Sequence, residues 1–161
     1  SGFGKTTFCK ILAGYEQPDE GQVLLDGKPL SEYKGYCPVQ LIWQHPQEAV
    51  NPRRKMKTVL EEGGVLDERL IHGLGIEKEW MERYPGELSG GELQRFCIAR
   101  ALGEKTSFLL ADEITAMLDL ITQSQIWNFL LEEVRSREIG LLVVSHSEPL
   151  LQRICTGRIQ L

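Results

Sequence analysis

The chain has 161 residues, a formal net charge of −5, and 42% hydrophobic against 25% charged residues. That balance fits one ordinary globular domain with a core of useful size and excludes a disordered or low-complexity chain. The acidic excess gives no case for nucleic acid as an obligatory partner, and the longest apolar runs, such as 108–111 and 141–144, fall far short of the roughly 20 residues needed to span a bilayer.

The chain opens SGFGKTTF. Residues 4–13 read as a helix closed by Gly14, a left-handed residue just past its end. The stretch PDEGQVLLDGKPL places a short strand at 22–25 before an Asp-Gly turn. YCPVQLIWQ, residues 36–44, is a second strand that ends in polar residues. Residues 45–90 change character: Pro46, Pro52 and Pro85 punctuate them, Lys and Glu are frequent, and TVLEEGGVLDERLIHGL and EKEWMERY read as short helices. Residues 91–102 form a stronger amphipathic helix with Leu93, Phe96, Cys97 and Ala101 on one side. SFLLADE and GLLVVSH are apolar runs of buried-strand length, and residues 120–137 between them read as a helix. Strands alternating with helices predict an α/β fold with a mainly parallel sheet.

The four cysteines, Cys9, Cys37, Cys97 and Cys155, are scattered and form no C-x-x-C pair. They read as reduced, mostly buried thiols. Trp43, Trp80 and Trp127 read as packing residues, and His45 and His72 as surface residues.

Three stretches carry chemistry. Gly4, Lys5 and Thr6 fit the end of the phosphate-loop pattern G-x-x-x-x-G-K-[ST], in which main-chain amides wrap phosphates, the lysine neutralises them and the hydroxyl binds Mg²⁺. A helix start that merely contains Gly and Lys is the alternative. FLLADE is an apolar strand that delivers Asp112 and Glu113 at its carboxyl end, where α/β sheets bind ligands. Asp there can hold Mg²⁺ and Glu can orient or deprotonate a water; two solvated acids at a turn are the bland counterpart. LSGGELQR, residues 88–95, sets Ser89, Gly90 and Gly91 at a helix start, where free amides present an anion site. Ser89 with Glu92 also predicts a capping box, and both roles are compatible.

In this order the motifs resemble the ATPase subunit of an ATP-binding cassette (ABC) transporter, over almost the whole chain. WQHPQEAVNPR and YPGELSGGELQRFCIARAL look most similar to the dipeptide, oligopeptide and nickel importer branch. The resemblance implies a P-loop NTPase (RecA-like) core with a mainly parallel sheet and a helical subdomain. It places the ATP-binding core at 1–44 and 105–161 and the subdomain with the LSGGE signature at 45–104. It implies Ser1, Gly2, Gly4, Lys5, Thr6 and Thr7 as the phosphate loop, and Gln44 as a glutamine that senses Mg²⁺ and the attacking water. It implies Ser89, Gly90 and Gly91 as contacts to the γ-phosphate held by an opposing subunit. Asp112 would serve Mg²⁺ together with Thr6 and Gln44, Glu113 would be the general base, Asp119 the D-loop acid, and His146 the switch that touches the γ-phosphate.

The expected activity is ATP hydrolysis that energises import of a small solute such as a peptide, nickel or a metal chelate. ATP and Mg²⁺ are the expected ligands. A second ATPase subunit and transmembrane permease subunits are the expected partners, at the cytoplasmic face of the cell membrane. A non-transport ABC ATPase and a non-catalytic cassette acting as a binding module are the competing readings. The sequence departs from the family pattern at ITAMLD, where Ile114 replaces a proline and Met117 a smaller residue. Set against the family, the first core strand and most of an antiparallel β subdomain are expected to be missing, as in an N-terminally truncated copy.

Overall fold

The structure is a computed structural model that describes residues 4–64 and 67–159. Ser1 and Gly2, expected in the phosphate loop, lie outside the described residues.

Helix α1 (Lys5–Leu12) begins at Gly4, whose φ of 70° is left-handed. It closes as the sequence predicts. Gly14 has φ 77°, its N–H donates to the Ile11 carbonyl, and the Tyr15 N–H reaches back to Lys10. This double closure is a Schellman motif, which glycine makes accessible. Strands β1 (Leu24–Leu25) and β2 (Lys28–Pro29) form a minimal antiparallel hairpin, shorter than the predicted strand. Asp26 and Gly27 turn it, both with positive φ, as a two-residue primed turn requires.

The main sheet is parallel, in the order β3–β4–β5. Its strands are β3 (Val39–Ile42), β4 (Phe108–Asp112) and β5 (Gly140–Val144). Ile42 pairs with Ala111, and Asp112 with Val144, so all three carboxyl ends lie on one side. Parallel strands need long crossovers. The β4-to-β5 crossover carries α5 (Leu120–Ser136). The β3-to-β4 crossover carries α2 (Met56–Glu62), α3 (Glu68–Gly73) and α4 (Gly90–Ala101). EKEWMERY forms its short helix as a 3₁₀ turn at Lys78–Glu82. Arg83 and Tyr84 then run extended, as Pro85 demands of the residue before it. A last helix, α6 (Glu148–Ile154), follows β5.

The two faces of β4 feed two apolar clusters. Leu109 and Ala111 pack with Phe96, Leu60, Leu74 and Leu130, whereas Leu110 packs with Cys9, Leu30, Val39 and Leu41. This is the period-two alternation of a strand covered on both sides. Leu93, Phe96, Cys97 and Ala101 of α4 are all buried, on the predicted face. Trp127 is buried and donates through Nε1 to Thr115 Oγ1 at 3.0 Å. Cys9 and Cys97 are buried, Cys37 and Cys155 half-buried, and all four are free thiols.

Candidate functional site

Two structural facts build the site. Parallel strands end together, and α1 begins beside those ends. The hydroxyl of Thr6, in the first turn of α1, donates to Asp112 Oδ2 at 2.8 Å. These residues are 106 apart in sequence, and Asp112 is buried. Among the described residues α1 has no side-chain cap and no acid in its first turn. Its leading amides and Lys5 therefore form an electropositive end next to the Asp112 carboxylate.

Glu113 follows with a left-handed φ of 52°. A side chain rarely occupies that region without tertiary restraint. The restraint is visible: the Glu113 N–H donates to the Val144 carbonyl at 2.9 Å, which ties the acid to the end of β5. His146 lies two residues beyond that strand, with Nε2 3.4 Å from Glu113 Oε1. The Glu113 side chain is only 11% exposed and His146 is 63% exposed. Glu113 Oε1 is buried and has no hydrogen bond that satisfies it among the described residues. A buried carboxylate oxygen without a full partner is costly, and it leaves an acceptor open to a water, an ion or a ligand. Beneath Asp112, burial and then the Asp112 charge push the Cys9 thiol up to about 11, so it stays neutral.

Gln44 lies two residues past β3 and is half-buried, with no side-chain hydrogen bond to the Thr6–Asp112–Glu113–His146 group among the described residues. Thr7 is exposed in the same first turn of α1.

The signature residues stand apart. Ser89 caps α4 in the predicted capping box: Ser89 Oγ accepts from the Glu92 N–H at 3.2 Å, and Glu92 Oε2 accepts from the Ser89 N–H at 2.7 Å. Ser89 and Gly90 are exposed. Asp119 caps α5 by accepting from the N–H groups of Ile121 and Thr122, both at 3.0 Å. Hydrogen bonds from Thr122 first, then Ile121, hold its carboxyl below the usual range. These two helix starts are neighbours, since a Cβ built on Gly91 would lie 3.0 Å from Leu118 Cδ2. Met117, Leu120 and Ile121 beside them are exposed apolar side chains.

Sequence reasoning missed Gln94. It sits between Leu93 and Phe96 on the buried side of α4 and is only 3% exposed. A glutamine inside an apolar helical stripe was the available signal.

The comparisons with known proteins converge. A profile of the family described as ABC transporter matches residues 1–116. The nickel import ATP-binding protein NikE of Rhodospirillum rubrum is 34% identical over 173 residues, covering 96% of this chain and 62% of that protein. The oligopeptide transport ATP-binding protein OppF of Streptococcus mutans is 30% identical, covering 96% of this chain and 56% of that protein. The chain therefore spans under two thirds of the length of these relatives. Among solved structures, a dimeric bacterial ABC transporter cassette superposes with a TM-score of 0.78 at 25% identity, over 94% of this chain and 74% of that one. An ATP-binding subunit of an ABC transporter gives 0.79 at 20% identity, over 96% and 68%; at that identity the likeness speaks for the fold.

Proposed function

We propose, from the premise that this chain belongs to the ABC transporter family, that it is an ATP-binding and ATP-hydrolysing subunit that energises an importer for a small solute. The observation that carries this reading is the hydrogen bond from Thr6 to Asp112, with Glu113 and His146 adjacent at the same sheet edge. Nucleotide chemistry needs these groups in one place: a hydroxyl and a carboxylate for a cation, and an acid poised over a water.

Lys5 and the leading amides of α1 bind the β- and γ-phosphates. The residues fit Mg²⁺, because Thr6 and Asp112 offer an oxygen-only donor set of the kind hard divalent cations take. Bound there, Mg²⁺ would supply charge neutralisation for the β- and γ-oxygens. Glu113 holds and deprotonates the attacking water, and His146 beside it touches the γ-phosphate. Gln44 orients the same water. Ser89, Gly90 and Gly91 act on nucleotide held by a second ATPase subunit, with Asp119 beside them at the contact. Residues 1–44 and 105–161 form the ATP-binding core, and 45–104 the helical subdomain that meets the permease. Among the described residues no helix is long and apolar enough to cross a membrane. The subunit works at the cytoplasmic face of the membrane, against permease subunits. The solute class follows the relatives, which are named for nickel import and oligopeptide transport.

The test is ATP turnover by the complete protein reconstituted with its permease partners. Turnover that depends on Mg²⁺ and rises with solute supports the reading; no affinity for ATP at millimolar concentration rejects it.

A further inference from the structure

The signature helix grips the chain on both sides of Gln44. Gln94 Nε2 donates to the Trp43 carbonyl at 3.2 Å. One helical turn on, the Cys97 Sγ–H points to the Pro46 carbonyl at 3.8 Å. Residues at i and i+3 share a helix face, so α4 holds the backbone at 43 and 46 with one side of its surface. Gln44 and His45 form the arc between these two anchors.

Gln94 places a polar group where packing alone would not require one. Gln94 is 3% exposed, and its Oε1 has no hydrogen-bond partner among the described residues. A buried unmet acceptor is destabilising, and an apolar residue of the same shape would remove the penalty. What the amide supplies, and an apolar residue would not, is the donor to Trp43. Burial pushes the Cys97 thiol up to about 11, so it too keeps its proton as a donor at neutral pH. Trp43 is fixed from its other side: its ring meets Tyr15 edge-on at 5.3 Å, and Lys10 Nζ lies 5.3 Å above it. Residue 43 is thus tied through its carbonyl to α4 and through its ring to Lys10 and Tyr15 around the end of α1.

We infer that Gln94 is a positioning residue for Gln44: with Cys97 it fixes the arc that carries Gln44 to the helix that opens with Ser89, Gly90 and Gly91. Engagement of the exposed start of α4 then sets the place of Gln44 at the opposite end of the same rigid connection. The inference rests on the proposed ATP hydrolysis and on the role of Gln44 in it.

A double-mutant cycle in the complete protein tests it. Gln94→Met keeps length and volume but removes the donor. It is expected to lower kcat for ATP about tenfold, the scale of one net hydrogen bond, with KM changed less than about twofold. In a Gln44→Ala background the same substitution is expected to add less than about a twofold loss. Cys97→Ala, a smaller change, gives the same pattern at lower amplitude and serves if Gln94→Met does not fold. Equal losses in both backgrounds, a raised KM with kcat intact, or no loss at all each overturn the inference while wild-type turnover stands. Absence of ATP turnover in the wild-type protein overturns the functional reading, and this inference with it.

Discussion

The hydroxyl of Thr6 and the carboxylate of Asp112 meet at 2.8 Å, although the whole β3-to-β4 crossover separates them in the chain. The contact joins the start of α1 to the end of β4, the two places where phosphate and cation chemistry would converge. Each side chain also satisfies the other, so the pair is set before any ligand arrives.

Removing either partner should separate cation-dependent from cation-independent binding. Thr6→Ala and Asp112→Asn are expected to weaken ATP binding about 10- to 100-fold in Mg²⁺, the span of one charge-assisted hydrogen bond. In excess chelator both should match wild type within about threefold. Titration with a fluorescent ATP analogue reads both conditions.

Glu113→Gln keeps the shape of the side chain and removes its basicity. Turnover is expected to fall about 10²- to 10⁴-fold, the usual contribution of a general base, while ATP affinity is retained. A single-turnover assay beside equilibrium binding separates the two quantities. Full turnover in the variant would remove Glu113 from the chemistry.

Arg69 and Glu133 test the fold away from the site. Arg69 Nη2 donates to Glu133 Oε2 at 2.8 Å, and the glutamate side chain is 1% exposed. Truncating the arginine strands a buried carboxylate. Arg69→Ala should cost about 2–3 kcal/mol by urea denaturation; Glu133→Gln should cost less, because it removes the charge that needs the partner.

Gly140 begins β5 directly opposite Phe108 in the ladder. A Cβ there would lie 2.3 Å from Phe108 Cδ2, closer than atoms can pack. Gly140→Ala should destabilise by about 1–3 kcal/mol, as overpacking does, and Gly140→Ala with Phe108→Leu should recover part of the loss. Thermal melts of the single and double variants check this.

The thiols set an alkaline limit on stability. Burial holds Cys9 and Cys97 at about 11 in the folded chain; an unfolded thiol ionises near 8.5. Below about pH 8.5 both states carry the proton and the contribution is fully present. As pH rises toward 11 the unfolded chain loses its protons first, and stability falls. Urea midpoints should drop between pH 8 and pH 10, and less steeply in Cys9→Ala/Cys97→Ala. At pH 8 a thiol reagent should label Cys37 and Cys155 in the folded chain and reach Cys9 and Cys97 only after unfolding.

Much of this was legible in the residues. The apolar runs that became β4 and β5, the Gly14 closure of α1, the Asp-Gly turn and the Ser89–Glu92 capping box follow from local rules, and the structure bears them out. EKEWMERY is a short helix as read, but of the tighter 3₁₀ kind and ending at Glu82, with Pro85 holding the residue before it extended. What could not be read locally is tertiary. Nothing in the strand FLLAD announces that the next residue, Glu113, is left-handed, because the cause is the carbonyl of Val144 on another strand. Nor does LSGGELQR show that Gln94 reaches Trp43. A buried glutamine reports that a partner exists without saying which one.

The backbone twist at Glu113 has an evolutionary edge. A glycine or asparagine would hold φ 52° at lower conformational cost, so at this codon the fold alone favours a different amino acid from the one expected to do the chemistry. A laboratory selection that rewards heat resistance and ignores turnover should therefore drift toward Glu113→Gly or Glu113→Asn, yielding hardier but inert descendants. One that rewards turnover should keep the glutamate and gather its compensating changes elsewhere.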